Sequence, residues 1–283
     1  MKTVHDAITH IQDSLQSHSI ENAAAESRWL AAHILNLTPP ELHLCLDRRV
    51  TTSEWAALRE VTARRKRREP LQHILGDVEF CGCVIEVSPQ ALIPRPETEW
   101  LVETILTILD EPPLCILDIG TGSGAIAIAL ASQFPGSSVT ALDLSPHALE
   151  VARKNALRND VAQRLSLIRA DLHHTPLSPG SFDLIVSNPP YIRSSDIAGL
   201  EPEVREHEPW VALDGGADGQ LCYRSIASHG SELLKPDGML ALELSGHSPD
   251  QLVHLFDGPE YGQPTVRLDW ADKPRLLTVY RLA

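Results

Sequence analysis

The sequence has little of what marks membrane-spanning, secreted or metal-binding proteins. Its longest uninterrupted apolar run, residues 125–131, is far too short to span a bilayer. The N-terminal stretch MKTVHDAITHIQ mixes acids and histidine with apolar residues, which is unlike a secretion signal. Among the five cysteines only Cys81 and Cys83 are closely spaced, and we expect both to be small buried hydrophobes on one face of a strand. We therefore expect reduced thiols, no metal site and a cytoplasmic location.

Basic charge is also scarce, and it is unevenly distributed. The net charge is −14, with 11 basic and 12 acidic residues up to Arg95 but 13 basic and 26 acidic residues after it. Such a surface repels a phosphate backbone, which argues against double-stranded DNA as a partner. The exception is the run RRKRR at Arg64–Arg68. It is either a solvated helix end with cations near the negative end of the helix dipole, or a contact for RNA or an acidic partner.

Residues 1–70 have the pattern of a small helical domain. Thr3 and Asp6 form a capping-box pattern ahead of apolar residues at helical spacing. A second helix is predicted over Ile20–Leu35, and two more begin near Thr38 and Thr52. The buried side of the second helix is predicted to carry Trp29, Leu30, His33 and Ile34. Because this bundle brings no catalytic side chains together, we interpret it as a recognition domain.

The remaining chain predicts an α/β fold. Residues 71–95 show short alternating runs broken by glycines, which is typical of a β-hairpin linker. From Leu114 onward strands and helices alternate, and this rhythm predicts a doubly wound parallel sheet that binds ligands beyond the carboxyl ends of its strands. Helices are expected near 125–133, 146–159 and 220–234. The predicted strands are Leu114–Ile119, Ser138–Leu142, Leu165–Arg169, Phe182–Ser187, Met239–Leu244 and Leu276–Arg281.

A glycine-rich segment, LDIGTGSGAIAIA, follows the first strand of this sheet. Asp143 ends the second strand 21 residues after Gly122, where a carboxylate can accept hydrogen bonds from both hydroxyls of a ribose. The same spacing fits a dinucleotide fingerprint, so a nicotinamide oxidoreductase and a turn without ligand stay open. Asp118 favours S-adenosylmethionine, because an acid there suits a cationic amino group better than a pyrophosphate. The candidate cofactor loop consists of Gly120, Thr121, Gly122, Ser123 and Gly124, whose glycines allow close approach to the backbone.

Two further candidate cofactor residues follow the third strand. Asp171 is placed to meet the amino group of an adenine, and Leu172 could form an apolar wall beside the ring. A helix-capping or loop role for Asp171 is the alternative.

The most specific motif is SNPPY, residues 187–191, at the end of the fourth strand. An amide or aromatic amine nitrogen is a poor nucleophile because its lone pair is delocalised. Two fixed acceptors that hold both N–H bonds would turn that lone pair toward a methyl donor, and Asn188 and Pro189 each offer a carbonyl oxygen. Pro189 and Pro190 exclude helical backbone for the residues before them, so the turn is rigid. Tyr191 offers a flat face against a planar substrate, and we take Asn188, Pro189 and Tyr191 as catalytic.

On these residues the chain resembles, over nearly its whole length, the release factor glutamine N5-methyltransferases of the PrmC/HemK family. NPPY alone marks a broader group that includes adenine-N6 DNA enzymes, and the more specific signals are IPRPETE and ALDGGADG followed by YR. The matching segments are EPLQHILGDVEFCGCVIEV, LIPRPETEWLV, LDIGTGSGAIAIALA, FDLIVSNPPYI and EPWVALDGGADGQLCYR, together with Asp143 at the end of the second strand.

The resemblance implies a Rossmann-like methyltransferase domain, here residues 96–283, that uses S-adenosylmethionine. It implies methyl transfer to the side-chain N5 of the glutamine in the Gly-Gly-Gln loop of bacterial peptide chain release factors, which the helical domain helps to grip. Carried over by position, Gly120–Gly124, Asp143 and Asn188 hold the cofactor. Asn188, Pro189, Pro190 and Tyr191 hold the glutamine. Leu172 stands where many relatives have an aromatic residue beside the adenine.

The loop that follows the NPPY motif, residues 192–218, is rich in acids, which is consistent with a protein substrate. Its acids are Asp196, Glu201, Glu203, Glu206, Glu208, Asp214 and Asp218. An acidic rim suits a basic protein loop better than nucleic acid, although solvation of a long loop would explain the same composition. Gly215, Gly216 and Gly219 could let the loop close over the site.

Two kinds of function stay open beside methylation of a release factor. One is methyl transfer to adenine N6 in nucleic acid or to another protein glutamine, and the other is a catalytically silent cofactor-binding module.

Overall fold

The computed structural model describes residues 2–172, 176–245 and 249–283. By their internal contacts the residues form two compact units. The N-terminal unit comprises the chain up to Gly76 together with Glu201–His207, and the sheet unit comprises Asp77–Leu200 and Glu208–Ala283. The division into a recognition domain, a hairpin linker and a methyltransferase domain at residues 70 and 95 concerns function and stays a prediction.

The N-terminal unit is built from short capped helices, as predicted. Three of them begin with a complete capping box, formed by Thr3, Thr38 and Thr51 with the acid three residues later. Their apolar faces meet in one buried cluster, which includes Ile11, Leu30 and Leu58. The helices are α1 Val4–Gln16, α2 Ala23–Leu35, α3 Pro39–Leu44, α4 Thr52–Lys66 and α5 Leu71–Leu75.

The predicted buried side of α2 is wrong for two of its four residues. Trp29 is 51% exposed and His33 is also exposed. The buried stripe instead contains the small residues Ala23, Ser27 and Ala31, which recur at every fourth position of the helix that packs against α1. Because small side chains at a helix contact allow close approach, they occupy the interface and the large indole is directed outward.

Three of the five cations of the basic run, Arg64, Arg65 and Arg68, are paired with carboxylates of the N-terminal unit. Arg65, at the end of α4, is only 6% exposed and bonds Glu26 at 2.6 Å and Glu203 at 2.8 Å. Arg68 pairs with Glu201 at 2.8 Å and with Glu203 at 2.7 Å. The interpretation as a solvated helix end is therefore wrong for Arg65. The acidic partner of this run is a segment of the same chain, residues 201–207, which includes the short helix α9 (Pro202–Arg205).

The sheet unit begins with a hairpin, which the sequence predicted within residues 71–95; it starts at Asp77, because Leu71–Leu75 forms the helix α5 of the N-terminal unit. Strands β1 (Asp77–Phe80) and β2 (Cys83–Glu86) pair in antiparallel fashion. Cys83 is buried as expected, but Cys81 lies in the turn with a φ of +48°, so its predicted strand position is wrong. Cys81 and Gly82 both have positive φ, which is what a two-residue hairpin turn that matches strand twist requires.

The fold class is confirmed: a seven-stranded, mostly parallel sheet has the order β5-β4-β3-β6-β7-β9-β8. The strand β9 runs antiparallel to both of its neighbours, β7 and β8, so the sheet predicted as parallel is mixed at this edge. A short turn joins β8 to β9, and only antiparallel strands can be joined in this way. The sequence pattern missed β8 because none of its four residues is fully buried. The strands are β3 Cys115–Ile119, β4 Ser138–Asp143, β5 Leu165–Arg169, β6 Phe182–Ser187, β7 Leu234–Glu243, β8 Thr265–Leu268 and β9 Pro274–Tyr280.

Helices cover both faces of this sheet. Successive strand residues alternate between two buried clusters, with Ile116 and Leu184 in one and Leu117 and Ile185 in the other. The first cluster includes α6 (Pro96–Ile108) and α7 (Ala125–Gln133), and the second includes α10 (Leu221–Leu233) and α11 (Pro249–Val253). The helix α8 spans Pro146–Arg158. Within the described ranges, no helix is long and apolar enough to cross a membrane.

The strand order determines where a ligand can bind. From β3 the chain adds β4 and β5 on one side, and it then returns to place β6 on the other side of β3. This reversal makes the carboxyl ends of β3 and β6 the switch point at which doubly wound sheets bind ligands. The residues that follow these strands are the glycine loop at 120–124 and Asn188. The topology therefore brings the two strongest sequence motifs to one edge.

Replacing Arg65 with alanine should destabilise the N-terminal unit by roughly 3 kcal/mol, because the largely buried Glu26 would lose its guanidinium partner and Glu203 would keep only Arg68. The exposed Arg67 at the same helix end provides the matched control, and Arg67→Ala should change stability by less than about 0.5 kcal/mol. Urea unfolding, with hydrogen exchange over α1, α2 and α4 to localise the effect, measures both variants. Equal losses in the two variants would contradict a stabilising role for the Arg65 ion pairs.

Candidate active site

The loop between β3 and α7 adopts a conformation that requires its glycines. Gly120, Gly122 and Gly124 have φ values of +72°, +54° and +83°, which side chains rarely adopt. Gly124 caps α7, and a Cβ there would lie 3.0 Å from the Cβ of Ala152. The loop is also tied to the neighbouring strand, since the Gly120 and Thr121 amides both donate to the carbonyl of Leu142.

Two carboxylates hold this loop, Asp143 at the end of β4 and Asp118 in β3. Asp143 accepts the Gly122 amide on Oδ2 and the Ser145 amide on Oδ1, each at 2.8 Å. Asp118 is fully buried, and its Oδ2 accepts the Thr121 hydroxyl at 2.6 Å. Burial is the main reason that the pKa of this carboxyl is raised to about 7, while the Thr121 hydroxyl and the backbone of Ala127 lower it. Asp118 does not line the cavity described below, so it holds the loop in place, and its predicted contact with a cationic group stays a prediction.

A cavity of about 470 Å³ lies at the carboxyl ends of the central strands, within the size range of small-molecule sites. Its lining is mainly apolar and includes the carboxylates of Asp143, Asp171 and Asp214 and the amides of Gln90 and Asn188. Two of the predicted site residues, Gly124 and Tyr191, do not line it. The predicted residues that do line it are Gly120, Thr121, Gly122, Ser123, Asp143, Asp171, Leu172, Asn188, Pro189 and Pro190.

The Asn188 side chain is held at the cavity wall by its amide nitrogen. Nδ2 donates to the hydroxyl of Thr98 at 2.9 Å. Among the described residues no donor bonds Oδ1, and no backbone N–H bonds the Pro189 carbonyl. Both acceptors that the motif was expected to offer therefore have no hydrogen bond from the described part of the chain. Ser187, the residue before them, anchors the strand end by donating to the Ile119 carbonyl at 2.7 Å.

Glycines behind the NPPY turn allow another loop to pack against it. A Cβ on Gly215 would lie 2.8 Å from the Pro190 carbonyl oxygen, and a Cβ on Gly219 would lie 2.5 Å from the Tyr191 carbonyl oxygen. The Gly215 amide donates to the carbonyl of Ile192. The Tyr191 ring packs against the second hydrophobic cluster, where burial raises its pKa to about 12. The segment Asp214–Gly216 therefore packs against the backbone of residues 190–192.

Thr98 and Glu243 are site residues that the sequence interpretation missed. Thr98 receives the Asn188 amide and donates its own hydroxyl to Oε2 of Glu243 at 2.6 Å. Both residues are buried, at 4% and 1% exposure. Burial raises the pKa of Glu243 to about 7, while the Thr98 hydrogen bond and the charge of Arg275 lower it. Thr98 belongs to the IPRPETE segment and Glu243 is an acid at the end of a strand, but nothing in the sequence indicates that the two residues meet.

An ion pair joins the two loops that border the cavity. Arg95 bonds Oε2 of Glu208 at 2.6 Å, and the Ile93 amide donates to Oε1 of the same carboxylate. The Glu208 side chain is only 1% exposed, and burial raises its pKa. Leu92–Pro94 line one side of the cavity and Pro209 lines another, so the Arg95–Glu208 pair stabilises the cavity wall.

The acids of residues 192–218 are engaged within the chain. Asp214 accepts the hydroxyl of Ser194 and the indole N–H of Trp210, and Asp218 pairs with Arg224. The remaining acids also have partners of their own, in ion pairs for Glu201, Glu203, Glu206 and Glu208 and in a hydrogen bond for Asp196. These side chains organise the loop more than they present a free acidic rim.

Replacing Arg95 with alanine should destabilise the sheet unit in a pH-dependent way. Glu208 would remain buried without its partner, and its pKa would rise further above the value in the unfolded chain. A group with a raised folded pKa favours folding below its unfolded pKa, and that contribution is lost as the pH rises through the folded pKa. Relative to the unsubstituted protein, the loss of unfolding free energy should be small near pH 5 and roughly 3 kcal/mol near pH 8.

Chemical denaturation at a series of pH values measures this difference. The control is the double variant Arg95→Ala with Glu208→Gln, in which the neutral amide should remove the pH dependence of the loss. A loss in Arg95→Ala that is the same at both pH values would contradict the buried ion pair.

Comparisons with known proteins agree with the fold of both units. The PrmC N-terminal domain family matches residues 6–76, and a methyltransferase domain family matches residues 116–207. A solved methyltransferase from Pyrococcus furiosus, 22% identical, matches 71% of this chain and 90% of its own with a TM-score of 0.53, which shows a shared fold.

Curated relatives match almost the whole chain. The release factor glutamine methyltransferase of Geobacter sulfurreducens is 42% identical over 254 residues, covering 90% of this chain and 88% of that protein. The one from Rhodospirillum rubrum is 40% identical and covers 95% of this chain and 82% of its own. With a helical N-terminal unit, a methyltransferase sheet and NPPY at the switch point, the chain belongs to the release factor glutamine methyltransferase family.

Proposed function

We propose that this protein transfers a methyl group from S-adenosylmethionine to the side-chain N5 of the glutamine in the Gly-Gly-Gln motif of bacterial peptide chain release factors. The observation that carries the proposal is the pair of free acceptors, Asn188 Oδ1 and the Pro189 carbonyl, at a cavity that also contains the glycine loop. The names of the curated relatives support the same substrate.

The residues around the cavity fit the cofactor. When bound, S-adenosylmethionine supplies an electrophilic methyl group on a sulfonium. The loop Gly120–Gly124 offers backbone that a ligand can approach closely, and Asp143 keeps lone pairs for ribose hydroxyls beyond its two backbone bonds. Asp171 and Leu172 contribute a polar and an apolar group to the wall. We assign these residues, with Asn188, to cofactor binding.

The chemistry that the chain must perform is the orientation of an amide nitrogen. Two acceptors that bind both N–H bonds of the glutamine side chain would hold its plane and direct the nitrogen lone pair at the methyl carbon. Positioning of this kind contributes up to about 7–11 kcal/mol in well-oriented reactions. We assign Asn188 and Pro189 as these acceptors, with Pro190 stiffening the turn. Tyr191 is assigned a supporting role in the same turn, because its ring packs into the core beside it.

The charges favour a protein substrate over nucleic acid. A transferase for adenine N6 needs a basic groove for the phosphate backbone. The basic run at residues 64–68 is the natural candidate, but Arg64, Arg65 and Arg68 are already paired with carboxylates. With a net charge of −14 and these cations occupied, direct nucleic-acid binding is not part of the proposal. We expect the reaction to take place in the cytoplasm, where release factors act.

Asn188→Ala should lower the rate of methyl transfer by on the order of 10²–10³, the cost of removing one positioned hydrogen-bond partner from an active site. Cofactor binding, measured by calorimetry, should remain detectable because the glycine loop and Asp143 are unchanged. The control is Asn22→Ala, which changes an exposed asparagine without a side-chain capping bond and should keep full activity.

The assay follows label from S-adenosylmethionine onto three acceptors offered separately: a release factor, a ribosomal protein and DNA. Label is expected on the release factor, and it should disappear when the glutamine of the Gly-Gly-Gln motif is replaced by alanine. Label on DNA alone would overturn the substrate assignment. Full activity of Asn188→Ala would overturn the assigned mechanism.

A further inference from the structure

We propose that Glu243 is a positioning residue that acts through Thr98 to keep the carbonyl oxygen of the Asn188 amide, rather than its NH₂ group, facing the cavity. The proposal rests on the proposed function, since it explains how the acceptor used on the substrate amide is oriented. Glu243 does not line the cavity, whereas Thr98 and Asn188 do. Glu243 therefore acts only through the hydrogen-bond chain.

The direction of this chain follows from the number of hydrogens available. A hydroxyl has a single hydrogen, and the Thr98 hydroxyl is 2.6 Å from Oε2 of Glu243. An ionised carboxylate only accepts, so Thr98 must donate to it. Only lone pairs of Thr98 Oγ1 then remain for Asn188, 2.9 Å away, and the amide must offer its nitrogen. Its oxygen is left for the cavity.

The opposite orientation would disable the site. If the Asn188 amide turned over, its NH₂ group would face the N–H bonds of a substrate amide, so that a donor would meet a donor. A terminal amide rotates easily between its two orientations unless its partners distinguish oxygen from nitrogen. Thr98 and Glu243 are both buried, so solvent does not compete for these bonds. The carboxylate thereby selects one amide orientation.

The groups that face Glu243 come from each element around it. Thr98 and Glu97 belong to α6, which Arg95 precedes, and Arg275 is on β9. Tyr223 of α10 donates its hydroxyl to the backbone carbonyl of Glu243, and its neighbour Tyr191 also faces the carboxyl. The pKa of Glu243 is raised to about 7, mainly by burial, and Glu97 also raises it. The Thr98 hydrogen bond and the charges of Arg275 and Arg95 act in the opposite direction.

A pH dependence follows from this environment. A protonated Glu243 can itself donate to Thr98, whose hydroxyl hydrogen is then free to turn toward Asn188. The amide would then present its oxygen to Thr98 and its NH₂ group to the cavity. The fraction of correctly oriented enzyme should therefore rise with pH through the pKa of Glu243, and kcat should rise with it.

The experiment measures kcat and KM for Thr98→Val, Thr98→Ser and Glu243→Gln against the unsubstituted protein, from about pH 6 to pH 8.5. Valine keeps the shape of Thr98 without its hydroxyl, and kcat should fall on the order of 10–100-fold, the range for outer partners that orient metal ligands. The KM for S-adenosylmethionine should change less than about threefold. Serine restores the hydroxyl and should recover most of the kcat. Glu243→Gln should lower kcat and remove the rise with pH.

Several outcomes would overturn the proposal. These are a Thr98→Val variant with unchanged kcat, a Thr98→Ser variant as impaired as the valine variant, or a Glu243→Gln variant with the original pH profile. Matching thermal unfolding of all variants establishes that the fold is kept. Failure of the proposed function is distinguishable, because the unsubstituted protein would then leave the release factor unlabelled.

Discussion

The orientation of the Asn188 amide depends on groups from three places in the chain. The asparagine follows β6, Thr98 lies in the first turn of α6, and Glu243 ends β7. Since an amide is nearly symmetric in shape, only hydrogen bonding can distinguish its two ends. The end of β6 and the two prolines that follow Asn188 position its side chain, and the buried chain of donors and acceptors determines which atom it presents. The architecture of the sheet unit serves to bring these three groups together.

The same principle of fixed polar contacts organises the walls of the cavity. Asp143 and Asp118 hold the glycine loop, and Arg95 with Glu208 joins the loops on the other side. Each contact uses a charged group that is wholly or partly removed from water, where hydrogen bonds are stronger and unpaired groups are costly. A cavity built in this way presents its free acceptors in place before a substrate arrives, so less reorganisation is needed during the reaction.

Charge in this protein is used mainly within the chain. The run RRKRR has the composition of a nucleic-acid contact, yet Arg65 and Arg68 bind the acids at residues 201–207. That segment is inserted in sequence between β6 and α10, but it belongs to the N-terminal unit. The acids of the long loop are likewise paired, as Asp214 and Asp218 illustrate. Composition alone therefore overstated how much charge is available to partners.

The sequence by itself determined the fold class, the capped helices, the glycine loop and the position of NPPY directly after a buried strand, because these depend on local rules: backbone conformation at glycine and proline, capping, and apolar periodicity. Such rules do not predict contacts between distant residues. The outward position of Trp29, the antiparallel pairing of β8 and β9, and the bond from Thr98 to Glu243 required the folded chain. The partners of Arg65 and Arg95 in their ion pairs also required the folded chain, because each choice of partner depends on distances that only packing establishes.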